Sequence, residues 1–186
     1  MKTAIPLVLG LDPSPLRLGY ALCTWGSGEP KWCGTLDINQ VDAGWRPHQY
    51  ARAMGRINYS LVFNHPEYAL HAISVEEMFM GPSPKMSLEL ADVAGITSGL
   101  CASMYPDLPV YRFTPSEWRK ACGLKGNATK EECYEHAKLV GYDPPPITKK
   151  KDPLGGKDAA DAGLIALAAY RRHSPATLVR EQEVAA

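Results

Sequence analysis

The sequence lacks most of the features that would assign it to a specialised class of protein. Its five cysteines are odd in number and form no Cys-x-x-Cys pair, which argues against a structural zinc site or a disulfide framework. No apolar run approaches the roughly 20 residues that cross a bilayer, and the apolar run near the N-terminus is too short for a signal peptide. We therefore expect a cytoplasmic protein with reduced cysteines and no membrane partner.

A charge excess is also lacking, since 20 basic residues balance 20 acidic residues. A protein that coats nucleic acid through a general positive field would carry a basic excess. A nuclease stays compatible with this balance, because it combines acidic residues at a metal site with basic residues around it. The length of 186 residues, 45% of them hydrophobic, predicts one domain over residues 1–173 and a C-terminal tail at 174–186.

The hydrophobic pattern, which contains no internal repeat, predicts strands first and then alternating helices and strands. Two short helices are expected to begin at Thr114 and Thr129, where helix-capping residues precede acidic first turns. The order predicts an α/β fold with a mixed five-stranded sheet, three antiparallel strands plus two crossover strands, flanked by helices. This is a ribonuclease H-like layout, although other α/β folds share the same order. The predicted strands are 7–12, 18–25, 31–38, 72–78 and 109–113, and the longer helices are 47–63, 87–104 and 157–172.

Four carboxylates occupy informative positions in these predicted elements. Asp12 ends the first strand, where an aspartate is also a common turn residue. Glu76 and Glu77 are strand neighbours that must face opposite ways, so one of them faces whatever covers the sheet, with a structural salt bridge as the alternative. Asp158 and Asp161 lie three residues apart, on one face of a helix that is apolar almost all round and therefore largely buried.

Two like charges on a buried helix face repel each other, and a divalent cation would turn that repulsion into coordination. Hard cations such as Mg²⁺ take oxygen ligands, and two such ions about 4 Å apart promote phosphodiester cleavage. The five histidines are dispersed and show no ligand spacing. The carboxylates therefore favour a two-metal site at one end of the sheet.

Three segments resemble motifs of the RuvC family of Holliday-junction resolvases (crossover junction endodeoxyribonucleases). Gly10-Leu11-Asp12-Pro13, followed by Gly19-Tyr20, resembles the first strand and turn of that family. Residues 75–80 resemble its second acidic motif, and residues 157–162 resemble its closing helix. The resemblance extends from about Leu7 to Arg172 and is compatible with a divergent, phage-type member.

The resemblance implies a ribonuclease H-like homodimer that binds a four-way junction and nicks two strands of like polarity symmetrically, leaving 5′-phosphate and 3′-hydroxyl ends. It implies Asp12, Glu76, Asp158 and Asp161 as ligands of two Mg²⁺ ions per active site, with Mn²⁺ as a substitute. Lys130 matches a catalytic lysine near the active site. Branch-migration or other recombination partners are left open.

The resemblance also implies DNA-binding residues. Phe79 occupies the place of an aromatic that stacks on a base near the crossover, an interaction worth roughly 1–3 kcal/mol; a core phenylalanine is the alternative. Surface lysines are often merely solubilising, which is the alternative for the basic residues. Those that match the family's DNA-contacting region are Arg119, Lys120, Lys125 and Lys130.

Two departures from the family pattern leave strict junction preference open. Ser14-Pro15 stands where the family has glycine after Asp-Pro, and the loop at 148–156, which contains Lys149–Lys151, is longer and more basic. Three other functions are compatible with parts of the pattern. They are a nuclease of the same fold acting on an RNA–DNA hybrid or a transposon end, a non-catalytic DNA-binding scaffold, and an actin-like kinase, for which 186 residues leave too little room.

Overall fold

The computed structural model describes residues 4–38, 46–77, 83–147 and 155–174. Its longest helices, α2 and α5, lie on opposite faces of a central sheet. The elements are β1 (Ile5–Pro13), β2 (Arg17–Thr24), β3 (Pro30–Asp37), α1 (Arg46–Tyr59, continued by a π-helical turn at Ser60–Asn64), β4 (Tyr68–Glu76), α2 (Pro84–Met104), β5 (Val110–Phe113), α3 (Pro115–Ala121), α4 (Lys130–Leu139) and α5 (Gly156–His173).

The sheet has the strand order β3-β2-β1-β4-β5. β2 is antiparallel to both β1 and β3, whereas β4 is parallel to β1 and β5. The predicted mixed five-stranded sheet is therefore confirmed. Because β1 and β4 run in the same direction, with Leu11 beside Val75, their C-terminal residues Asp12 and Glu76 reach the same edge of the sheet.

Alternation along β1 sends its side chains to two hydrophobic layers. Leu7, Leu9 and Leu11 pack against α1 and α2, while Val8 packs on the other side with α5. Side chains two residues apart in a strand share a face, so Asp12 lies on the α5 side with Val8. The acidic end of β1 is thereby directed at the helix that carries the other two predicted aspartates.

Two glycines let α5 lie directly on the sheet. A Cβ atom at Gly10 would lie 2.2 Å from the carbonyl oxygen of Ala162, and one at Gly19 would lie 2.3 Å from that of Asp158. Residues 159–169 of α5 are all buried, which confirms the predicted burial of this helix. The small residues thus fix how closely the first turns of α5 approach Asp12.

Several predicted boundaries differ from the structure. α2 begins at Pro84 rather than residue 87, because Ser83 caps the helix by accepting a hydrogen bond from the backbone N–H of Met86. β4 begins at Tyr68 rather than residue 72, because its first residues pair with Ile5–Leu7 of β1.

No helix in the described part of the chain is long and apolar enough to cross a membrane.

Candidate active site

Three aspartates and a lysine from three elements meet at the acidic edge of the sheet. The ammonium nitrogen of Lys130, the first residue of α4, lies 2.9 Å from Oδ1 of Asp158, 3.4 Å from Oδ2 of Asp161 and 4.0 Å from Oδ2 of Asp12. The contact with Asp158 is a hydrogen bond that the lysine donates. The structure therefore brings together distant parts of the sequence, since Asp12 and Asp161 are 149 positions apart and Lys130 precedes Asp158 by 28 positions.

The two aspartates deepest in the cluster are almost inaccessible to solvent. Asp12 is 6% exposed and Asp161 is 1% exposed. Oδ2 of Asp12 and Oδ1 of Asp161 are buried and have no hydrogen-bond partner among the described residues. A buried carboxylate oxygen without a donor is costly, so these two atoms are candidates for ligation.

Glu76 completes the acidic edge from the end of β4. Burial and the charge of Asp161 raise the pKa of Glu76 to about 7, against the lowering effects of the Lys130 and Arg119 charges and of a hydrogen bond with Trp118. Glu77, the neighbouring residue, is exposed. This difference resolves the alternation predicted for the pair, because Glu76 is the residue directed toward the cluster.

Burial also raises the pKa values of Asp12 and Asp161. The pKa of Asp12 lies well above its usual range because of burial and the charges of Glu76, Asp161 and Asp158, which Lys130 only partly offsets. Burial raises the pKa of Asp161 to about 6 in spite of Lys130 and Arg119. One cation does not neutralise this many buried carboxylates, and the site favours additional positive charge.

Lys130 responds to the same electrostatic field in the opposite sense. Partial burial lowers the pKa of its ammonium group, but Asp12, Asp161 and Asp158 together raise it above the ordinary lysine value. Its side chain nevertheless stays 49% exposed. Lys130 is thus a fully charged group at the mouth of the cluster.

The donor set fits hard divalent cations such as Mg²⁺, because all four candidate ligands are carboxylates and two buried oxygens have no hydrogen-bond partner among the described residues. In the described residues, no three acidic, histidine or cysteine side chains are already arranged to hold an ion. The ammonium of Lys130 lies between the aspartates instead.

Arg119, predicted as a DNA-contacting residue, lies beside the acidic cluster. Its guanidinium carbon is 4.9 Å from the ring centre of Trp118, and its Nη1 donates a hydrogen bond of 3.3 Å to the carbonyl oxygen of Gly126. Its charge lowers the pKa values of both Glu76 and Asp161. This proximity depends on how α3 packs beside the sheet edge.

The other predicted DNA-binding residues divide into two groups. Lys120 and Lys125 are exposed, on α3 and on the loop that follows it. Phe79 and the loop residues Lys149–Lys151 lie outside the described residues, as does the tail from residue 175 onward. The roles assigned to all of these residues stay predictions.

Gly19 is a further residue of the site whose role the sequence analysis missed. It pairs with Asp12 across the β1–β2 ladder, and its missing side chain leaves room for the backbone of Asp158. The available signal was the presence of glycine inside an otherwise regular strand, which often marks a close approach of another backbone.

Comparison with known proteins gives a consistent result across sequence and structure. The family described as "Crossover junction endodeoxyribonuclease RuvC" matches residues 8–170. The proteins with this same name from Anaeromyxobacter sp. (strain K) and Salinibacter ruber are 28% and 27% identical, over 80% and 87% of this chain and 76% and 83% of their own lengths.

A solved structure described as T. thermophilus RuvC in complex with Holliday junction substrate has the same fold. It aligns with a TM-score of 0.59 at 19% identity, over 89% of this chain and 93% of the other. At this identity the likeness supports the ribonuclease H-like architecture, in agreement with the strand order of the sheet.

Proposed function

The chain belongs to the RuvC family of crossover junction endodeoxyribonucleases, and from this premise we propose that it resolves Holliday junctions and related branched DNA by metal-dependent phosphodiester hydrolysis. The observation that carries the proposal is the edge cluster of Asp12, Asp158 and Asp161 around Lys130, with two carboxylate oxygens that are buried and accept no hydrogen bond from the described residues. A purely structural cluster would be expected to satisfy those oxygens with hydrogen bonds.

The chemistry of the cluster suits phosphodiester cleavage. Asp12, Glu76, Asp158 and Asp161 would hold two Mg²⁺ ions, for which Mn²⁺ would substitute. Two ions so held supply activation of a water and stabilisation of the leaving oxygen. Attack on the phosphorus with departure of the 3′ oxygen would leave 5′-phosphate and 3′-hydroxyl ends. The pKa values of Glu76 and Asp161, raised chiefly by burial, support a requirement for such cations, because added positive charge stabilises buried carboxylates.

The basic residues next to the cluster would position DNA. Lys120 and Lys125 are exposed, and they lie close to Arg119 in the sequence. Their ammonium groups would contact DNA phosphates, because the negative charge of the phosphates attracts them. Arg119 and Lys130, which face the carboxylates, would act nearest the scissile phosphate. Phe79 would stack on a base near the crossover.

The function is tested by cleavage of end-labelled four-way junctions, forks, linear duplex and RNA–DNA hybrid in Mg²⁺, Mn²⁺ or EDTA. We expect paired, symmetric nicks in the junction, activity with either metal and none in EDTA. Cleavage of the hybrid without cleavage of the junction would assign the site to another nuclease of this fold. Junction binding without any cleavage would assign the protein to the scaffold class.

Symmetric cleavage of two strands requires two active sites, so we propose a homodimer. The exposed face of α2 that carries Leu88, Gly95 and Gly99 supports this assembly, since Leu88 is 73% exposed and the space in front of the two glycines is open. A large apolar side chain beside small residues on one helix face permits close contact with a second copy of the same helix.

Leu88→Glu is therefore expected to weaken dimerisation by at least about tenfold, since a buried charge opposes association. Sedimentation velocity across a concentration series would measure the effect. Leu139→Glu is the matched control, because Leu139 is 83% exposed on α4, away from α2. Equal association constants for the two variants would exclude this face of α2 from the dimer interface.

A further inference from the structure

Lys130 holds the central position of the acidic cluster. Its ammonium lies within 4.0 Å of a carboxylate oxygen of each of the three aspartates. Among the described residues, it is the only cationic side chain that forms an ion pair with any of them; Arg119 acts on Asp161 only at longer range. The oxygens that Lys130 approaches belong to the same carboxylates that would bind a divalent cation.

The side chain of Lys130 can also rotate away from the aspartates toward solvent. Lys130 is the first residue of α4, and half of its side chain is exposed. Lysine carries a compact, strongly hydrated charge on a flexible stem. The ammonium can therefore turn toward solvent, or toward an anion there, without any change in α4 or α5.

Two cations cannot share these oxygens at low cost. A divalent ion bound to Asp158 and Asp161 would stand beside an ammonium only 2.9 Å and 3.4 Å from their oxygens, and like charges at such separations repel strongly where burial reduces screening. The ammonium and the metal therefore compete for the same carboxylates.

We propose that Lys130 is a built-in counter-ion that exchanges with divalent metal: its ammonium neutralises the aspartates when no metal is bound, and metal entry displaces it toward the DNA side of the site. This inference rests on the proposed function, because it concerns the same carboxylates and the same metal. It adds that the lysine competes with the metal for them.

The exchange couples metal binding to DNA binding. A phosphate near the displaced ammonium gives Lys130 an alternative anion, so DNA should favour the arrangement in which the carboxylates are open to metal. By reciprocity, metal should favour DNA binding by the same factor. The protein alone would bind metal weakly, and both affinities would rise together on the junction.

The test is calorimetric titration of Mn²⁺ into the full-length protein without DNA. Lys130→Met, which keeps the apolar stem and removes the charge, is expected to bind Mn²⁺ at least about tenfold more tightly than the wild type. Lys138→Met is the matched control: Lys138 lies on the same helix, its side chain is 50% exposed, and it contacts Glu135 at 3.8 Å and the ring of Tyr134 rather than the aspartates of the cluster. This control should leave the affinity unchanged.

A second measurement uses the wild type and does not depend on the folding of a variant. In protein labelled with ¹³C at the lysine ε carbons, the Lys130 signal should shift saturably as Mg²⁺ is added, with the midpoint that calorimetry gives, while the Lys138 signal stays in place. A Lys130 signal that does not move while Mg²⁺ binds would overturn the exchange.

The outcomes separate this inference from the proposed function. Lys130→Met could bind Mn²⁺ no more tightly than the wild type does, while the wild type binds metal and cleaves junctions normally. That result would refute the exchange and leave the proposed function intact. Failure of both the wild type and Lys130→Met to bind any divalent cation, with or without junction DNA, would overturn both, since the metal-dependent function would fail first.

Discussion

Asp161→Asn is expected to lower the rate of junction cleavage by at least about 10³-fold, a loss of roughly 4 kcal/mol of transition-state stabilisation, while junction binding persists. Asp161 is 1% exposed, and one of its oxygens is buried without a partner. An amide would fill the same space but would bind a divalent cation poorly. Single-turnover cleavage at saturating enzyme, beside gel-shift binding in EDTA, measures the two effects separately. Asp12→Asn should behave in the same way.

The stability of the Asp161→Asn variant would test whether misfolding causes the loss of cleavage. Burial raises the folded-state pKa of Asp161 to about 6, so its proton is held more tightly in the folded protein than in the unfolded one. A carboxylate of this kind stabilises the fold at acidic pH, and that contribution is lost as the pH rises through about 6. At neutral pH in EDTA, the neutral asparagine should therefore melt no lower than the wild type.

Glu76 and Glu77 offer an internal control for the acidic edge. Glu76→Gln should lose cleavage as Asp161→Asn does, because burial and Asp161 mark Glu76 as part of the cluster. Glu77→Gln, one residue further along and exposed, should keep it. If both substitutions reduced cleavage equally, Glu76 would have no special role.

Full activity of Asp161→Asn in Mg²⁺ would refute the carboxylate mechanism.

The sequence allowed much of the fold to be predicted because its signals are local. A short apolar run identified β1, and the capping residues at Thr114 and Thr129 preceded α3 and α4 as expected. The start of β4 escaped detection, since residues 68–71 are strand only through pairing with β1. A pattern read along one segment contains no information about a partner more than 60 positions away.

Local sequence signals likewise predicted some residues of the candidate site and not others. The three aspartates of the cluster could be predicted because each is a charged residue in a segment that is otherwise apolar. These residues are Asp12, Asp158 and Asp161. Lys130 was identified only through the family resemblance, and nothing local indicated that its ammonium would lie among the three aspartates. The position of Arg119 beside Glu76 likewise depends on tertiary packing.

The geometry of the cluster depends on a residue that has no side chain. Gly19 lies opposite Asp12 in the β1–β2 ladder, and a Cβ there would come within 2.3 Å of the Asp158 carbonyl oxygen and 3.3 Å of the Asp12 Cβ. The obstructing oxygen is helix backbone, so it can yield only if the start of α5 moves. Such a shift would carry Asp158 and Asp161 away from Asp12.

Gly19→Ala is therefore expected to lower the free energy of unfolding by about 1–3 kcal/mol, as overpacking does, and to reduce cleavage by about 10²-fold or more through misplacement of the carboxylates. Urea unfolding in EDTA and single-turnover cleavage measure the two losses. Gly26→Ala is the matched control, because no heavy atom lies within 4 Å of a Cβ at that position, and its stability should change by less than about 0.5 kcal/mol.

The pattern of losses in Gly19→Ala distinguishes a packing defect from a defect of the site. Loss of stability with full cleavage would mean that α5 can shift without disturbing the carboxylates, which would contradict the argument that the helix backbone positions them. Loss of both, with Gly26→Ala unaffected, would show that the contact between β2 and the start of α5 sets the spacing of Asp12 from Asp158 and Asp161. The glycine would then matter to catalysis without touching DNA or metal, because the side chain it lacks is what allows α5 to bring its two aspartates up to the sheet.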